Sequence, residues 1–192
     1  MLRIGIIVGS TRAGRRGREV ADWVHARAQG RAGAAYEVVD LADHDLPNLA
    51  DPVAPMAGRY ERPATLAWAR AVAALDGFVV VTPEYNHGPS GALKNALDHL
   101  YAEWNDKAVG FVSYGMDGGH RAVEQLRLVA AELQLATVRN QVGISLRDDV
   151  DADGAVAPTE HPERQLDGVL DQVEAWGGAL QGLRADHARS SA

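Results

Sequence analysis

The stretch Phe78–Leu100, FVVVTPEYNHGPSGALKNALDHL, leaves this chain few folds to choose from. Phe78–Val81 is a short, unbroken apolar run rich in β-branched side chains, which suits a strand covered on both faces as in a parallel sheet. It stops at Thr82-Pro83. Pro83 has no N–H to give a sheet ladder and disfavours a helical Thr82, so the strand should end there. Polar, aromatic and Gly/Pro positions follow, and Ala92–Leu97 then takes up helical spacing. The segment between the carboxyl end of a buried parallel strand and the next helix is where open α/β sheets hold their ligands.

The remaining segments repeat the pattern. Leu2–Val8 reads as a first strand, followed by a loop over Gly9–Gly17 and a helix with Val20, Trp23, Val24 and Ala28 on one face. Tyr36–Asp40 is a second strand. The segment from Leu41 to Arg62 holds Pro47, Pro52, Pro55 and Gly58 and reads as a long ordered loop. Pro63 opens a helix that should present Leu66, Ala69 and Ala73, with Trp68, inward. Lys107–Tyr114 is a fourth strand, leading through Gly115–Gly119 into a helix from His120 to about Leu135, and Thr137–Ile144 a fifth. The acidic segment Leu146–His161 reads as a solvated loop. A last helix from about Pro162 carries Leu166, Val169, Leu170, Val173, Trp176 and Leu180. Trp23, Trp68 and Trp176 read as core, Trp104 as part of a subunit interface.

Five strands alternating with helices predict one three-layer α/β sandwich domain over residues 1–185, with residues 186–192 a disordered tail. Right-handed crossovers leave a Rossmann-like or a flavodoxin-like strand order. The loops after strands one, three and four are the unusual ones. In the order 2-1-3-4-5 those strands are neighbours and the loops converge on the switch point, which favours the flavodoxin-like sheet.

The first loop joins a strand to a helix N-terminus, a place with free N–H groups and partial positive charge. Ser10 and Thr11 add hydroxyls, and Arg12, Arg15 and Arg16 add guanidinium forks suited to phosphate oxygens. Two better-known phosphate motifs fail here. Gly9 and Gly14 match P-loop glycine spacing, but Arg15 and Arg16 stand where Lys and Ser/Thr must follow, and the dinucleotide fingerprint lacks its glycine at Thr11.

Gly9-Ser10-Thr11-Arg12, Pro83-Glu84-Tyr85-Asn86, Leu93–Asp98 and Ser113-Tyr114-Gly115 with Gly118-Gly119 together resemble the NADPH-dependent FMN reductase family, which includes chromate and quinone reductases and related azoreductases. The resemblance covers residues 2–144. It implies non-covalently bound FMN, NADPH or NADH as reductant, and a homodimer or dimer of dimers joined through the Tyr85 loop and helix Ala92–Tyr101. It also implies that Ser10, Arg12, Arg15, Arg16 and Gly17 hold the FMN phosphate. Pro83, Glu84, Tyr85 and Asn86 would line the isoalloxazine ring, and Ser113, Gly115, Gly118 and Gly119 would wrap its other edge. Several relatives carry Ser and Asn where this chain has Arg15 and Gly17. The activity implied is hydride transfer from the nicotinamide to flavin N5 and on to a quinone, free flavin or similar acceptor, by ping-pong turnover. The flavin would do the chemistry and the protein the binding and orientation, so no catalytic side chain is expected.

Composition narrows the rivals. Zero cysteines exclude a disulfide framework, a thiol nucleophile and thiolate-bound metals, and the seven histidines show no metal-ligand spacing. A net charge of −7 argues against nucleic-acid binding. No leader and no membrane-length apolar run is present, which predicts a soluble, cytoplasmic protein. The resemblance implies a small-molecule electron acceptor as the partner. A flavodoxin-like electron carrier and a flavin-binding stress protein without a dedicated substrate stay open, although flavodoxins usually ring the phosphate with hydroxyls rather than arginines.

Overall fold

The computed structural model describes residues 1–190. Strands β1 (Leu2–Val8), β2 (Ala34–Asp40), β3 (Gly77–Pro83), β4 (Lys107–Gly115) and β5 (Leu135–Ser145) form one parallel sheet in the order β2-β1-β3-β4-β5. The helices are α1 (Gly17–Ala28), α2 (Pro63–Ala73), α3 (Gly91–Asp98), α4 (His120–Glu132) and α5 (Glu160–Ser190). This is the flavodoxin-like sandwich.

Strand alternation divides the core in two. Ile4, Ile6, Val8, Val79, Val81 and Val112 face α1 and α5, where Val20, Val24, Leu166, Val169 and Val173 meet them. Ile7, Phe78, Val80, Val109 and Phe111 face α2, α3 and α4. Because β3 is buried along its whole length, it reads in sequence as a continuous apolar run rather than an alternating one. Ion pairs from Arg27 to Asp167 and from Arg31 to Asp171 and Glu174 fasten the end of α1 and the turn after it to α5.

Several elements differ from their sequence pattern. Trp104 is 1% exposed and lies in the core, edge-on to Phe78 (centroids 5.0 Å apart) and Trp68 (5.9 Å), so it offers no surface to a partner. Its indole donates to the Leu97 carbonyl and that of Trp68 to Ala96, both late in α3. In α2 the inward stripe is Thr65, Trp68, Ala69 and Val72, leaving Leu66 and Ala73 outside. The two stripes are one residue out of phase, and the indole of Trp68 decides between them. Trp176 is likewise exposed, because Gly177 takes the sheet-facing position next to Leu2 and one residue of helix turns Trp176 away.

α5 runs to Ser190, into the 186–192 segment expected as a disordered tail. Arg184 donates to the Asp106 carbonyl and to Asp76, and His187 contacts Asp106. Residues 191 and 192 of the expected tail lie outside the described residues. β5 begins at Leu135, and α4 stops at Glu132 ahead of Gln134 at φ +53°. The 41–62 segment is pinned rather than loose. Asn95 donates to the Pro47 carbonyl and accepts from the Leu49 amide, and His99 bridges Pro47 and Thr65.

At the amino end of the sheet, Lys107 is 5% exposed and donates to the Val72 carbonyl. Burial, and then the charge of Arg184, push its ammonium down to about 8. The folded protein therefore binds fewer protons at this site than the unfolded chain between pH 8 and 10.5, so stability should rise with pH across that window. Chemical denaturation as a function of pH should show this rise, and Lys107→Met should abolish its share of it. Replacing Trp104 by alanine should cost about 3–5 kcal/mol of stability without changing the oligomeric state, measured by urea denaturation and sedimentation.

Candidate functional site

The three loops meet. A cleft of about 270 Å³ at the carboxyl end of the sheet is lined by Arg12, Arg15 and Arg16 from the first, Pro83, Glu84 and Tyr85 from the second, and Tyr114, Gly115 and Met116 from the third, with Leu146 alongside. A hollow of about 210 Å³ shares Glu84, Gly115 and Met116 with it and continues past Asn86, His87, Gly119 and Arg121. Two larger hollows lie elsewhere, about 440 Å³ around Lys107 and Arg184 and about 510 Å³ beside Arg139 and Arg164. Neither meets a loop that follows a strand's carboxyl end.

The first loop is set by glycine geometry. Gly9 donates to the Val81 carbonyl at 2.8 Å, and a Cβ there would stand 2.8 Å from that same oxygen. Gly14, at φ +68°, completes a turn in which the Arg15 amide reaches the Arg12 carbonyl. α1 then starts with no side chain capping its first-turn amides. The three arginines behave differently. Arg12 is exposed, and among the described residues its guanidinium has no hydrogen-bond or ion-pair partner. Arg15 is held by buried Asp40 at 2.7 Å, which leaves its Nε buried and unpaired. Arg16 pairs with Glu19, whose carboxylate also accepts the Val156 amide. That contact docks the 146–159 segment on the start of α1. This segment is more structured than a solvated loop: Val150 and Val156 form a bridge, and Asp149 is buried against Ser145 and Thr159.

The second loop is a tight hairpin turn. Tyr85 and Gly88 exchange backbone hydrogen bonds around Asn86 (φ +51°) and His87 (φ +68°), the paired positive angles of a type I′ turn. Positive φ is uncommon outside glycine, and asparagine and histidine are among the residues that adopt it most readily. α4 holds the turn in place: Gln125 donates to the His87 carbonyl and Arg121 contacts the His87 ring. Across the cleft the Tyr85 hydroxyl shares a 3.0 Å hydrogen bond with Ser10, joining second loop to first.

Two predicted residues turn their functional groups away from the cleft. Glu84 accepts from the Arg121 amide and guanidinium, tying the second loop to the first turn of α4. Ser113 donates to the Gly118 carbonyl at 2.6 Å and to Val142, which shapes the third loop from beneath. Gly118 and Gly119 both have φ above +70°, and a Cβ on Gly119 would stand 2.9 Å from the Tyr114 carbonyl, so only glycine fits. Gly17 is needed for the same kind of reason, since its Cβ would lie 2.8 Å from the Tyr114 hydroxyl. Sequence reading assigned no role to Tyr114, Met116 or Arg121, although Tyr114 stands inside the Ser113-Tyr114-Gly115 element; the other two had only proximity to the third loop as a signal.

Burial pushes the Glu84 carboxyl up, but the hydrogen bonds and charge of Arg121 and the Arg121 and Ala122 amides outweigh it and hold the group below the ordinary range. Among the described residues no cluster of His, Asp and Glu is placed to hold a metal ion, and no helix is long and apolar enough to cross a membrane.

Comparison with known proteins adds an independent line. The sequence profile of the family described as NADPH-dependent FMN reductase matches residues 2–149. The chain is 40% identical over 158 residues to an NAD(P)H-dependent FMN reductase of Schizosaccharomyces pombe, covering 81% of this chain and 79% of that protein. It is 28% identical over 195 residues to a 2-hydroxy-1,4-benzoquinone reductase of a Burkholderia species, covering 91% and 96%. Among solved structures, the flavoenzyme NAD(P)H:(acceptor) oxidoreductase FerB of Paracoccus denitrificans superposes with a TM-score of 0.73 at 20% identity, over 93% of this chain and 98% of that one.

A carboxylate whose folded pKa is depressed contributes stability that is complete above its ordinary value, 4.5 for Glu84, and is lost as the pH falls through the folded pKa. Wild type should exceed Glu84→Gln in stability by about 1 kcal/mol at neutral pH, with the difference closing only as the pH falls below that value. Paired urea titrations across the acid range would read it.

Proposed function

The chain belongs to the NADPH-dependent FMN reductase family, and from that premise we propose that it is an FMN-dependent NAD(P)H oxidoreductase whose acceptors are quinones, free flavin or similar small molecules. The observation that carries the reading is the meeting of the three loops around one cleft, with an unpartnered Arg12 at its basic end.

The residues present fit the cofactor. The uncapped start of α1, Arg12, Arg15 and the hydroxyls of Ser10 and Tyr85 form a cationic, donor-rich end suited to a phosphate ester. The other end is walled by Pro83, the Tyr85–Gly88 turn and the Gly115–Gly119 turn, where small residues let backbone amides approach a planar ring. When bound, FMN supplies the two-electron chemistry, accepting hydride from NAD(P)H and passing its electrons to the acceptor in ping-pong turnover.

The protein's part is positional. Glu84 and Arg121 fix the second loop against α4, and Ser113 fixes the third, so that the amides they carry are already oriented before ligand arrives. Met116, 54% exposed beside both hollows, gives the outer side of the cleft an apolar, adaptable wall where a nicotinamide or quinone ring could rest. Assembly as a homodimer or dimer of dimers through the Tyr85 loop and α3 is part of the same proposal, supported by the family likeness and by the partial exposure of Tyr85.

Anaerobic stopped-flow with the FMN-loaded protein tests the reading. NADPH or NADH should bleach the flavin band, and menadione should restore it, with steady turnover when both are present. Absence of bleaching by either nucleotide would sink the reductase assignment. Bleaching without turnover would favour an electron carrier.

A further inference from the structure

One group at the phosphate end of the cleft has no use in the account above. Tyr114 is 5% exposed, and its hydroxyl is buried without a hydrogen-bond partner among the described residues. Deleting that oxygen would leave the ring's apolar packing among Val8, Val20 and Ile144 intact, so its presence in the apo fold is a net cost. The hydroxyl lies directly under the start of α1, 2.8 Å from where a Cβ of Gly17 would stand, and Tyr114 lines the same cleft as Arg12, Arg15 and Tyr85. A second buried donor without a partner, the Nε of Arg15, belongs to that cleft as well. Two unsatisfied donors from separate elements therefore flank an uncapped helix N-terminus.

We infer that Tyr114 is a further phosphate ligand of this protein, its O–H donating to an oxygen of the FMN phosphate seated between Arg12, Arg15 and the first turn of α1. The inference rests on the FMN reading above and adds a residue from β4 to a site otherwise built by the first loop. Burial, with Tyr85 close by, pushes the phenol up to about 12, against the opposing pull of Ser10, Arg15 and the Gly17 amide, so it remains a neutral donor across the working pH range. Gly17 follows from the same geometry, since a Cβ there would stand 2.8 Å from the hydroxyl.

Tyr114→Phe separates this role from that of a prop for the loop. Apo wild type and variant are titrated with FMN and with riboflavin, which lacks the phosphate, by flavin fluorescence, and both apo proteins are melted. Loss of one hydrogen bond to a charged group should weaken FMN binding about 10- to 100-fold, with riboflavin affinity unchanged and the apo Tm equal or higher. An FMN-to-riboflavin affinity ratio equal to that of wild type would overturn the inference. So would a lowered apo Tm, which marks a hydroxyl already bonded within the loop. A wild-type protein that binds neither flavin would overturn the FMN reading itself, and this assignment with it.

Discussion

The clamp at Gly9 is the constraint on which the rest depends. Its amide extends the β1–β3 pairing one step beyond the strands by reaching Val81, and its carbonyl accepts the Ser90 hydroxyl, which in turn caps α3 through the Leu93 amide. One residue thereby locks the first loop, the end of β3 and the start of α3 together. A side chain at position 9 would meet the Val81 carbonyl and Leu93, so the lock is available only to glycine. The strand order follows from the same seam: with β1 and β3 adjacent, the chain reverses its winding there and a crevice opens at the carboxyl end.

Around that seam, side-chain ties join the loops to one another and to α4, and add to the turns' own backbone bonds. Ser10 meets Tyr85, Glu84 meets Arg121, His87 meets Arg121 and Gln125, and Ser113 meets Gly118. Ser10, Glu84 and Ser113 are buried or half-buried struts, while the ties of His87 lie at the surface. The family match ends at residue 149, and the bridge between Val150 and Val156 lies just beyond it, docked through Glu19 onto the start of α1. Arg16 is thus restrained from the outside while Arg12 stays free, which divides the basic loop into a fixed half and a responsive one.

The site is locally unfavourable for folding. His87 occupies left-handed backbone space, and Arg15 and Tyr114 each bury an unpaired polar atom. The surrounding sandwich tolerates these costs because its two apolar layers are continuous, with Trp68, Phe78 and Trp104 packed edge to edge on one side. Such local violations cluster where a ligand can relieve them.

The sequence by itself determined the five strands, their parallel sense, the convergence of three loops and the family, because each rests on local signals: continuous β-branched runs, Pro83 as a terminator, glycines at forced turns and a distinctive Pro-Glu-Tyr-Asn element. Only the tertiary structure decided which side of a helix faces inward when two stripes differ by one residue, as in α2, or which of Trp104 and Trp176 is core. It alone decided that Glu84 and Ser113 brace loops while Tyr114 reaches under the first turn of α1. A side chain's direction at a strand's end depends on contacts made across tens of residues of sequence, and no periodicity or motif carries that information.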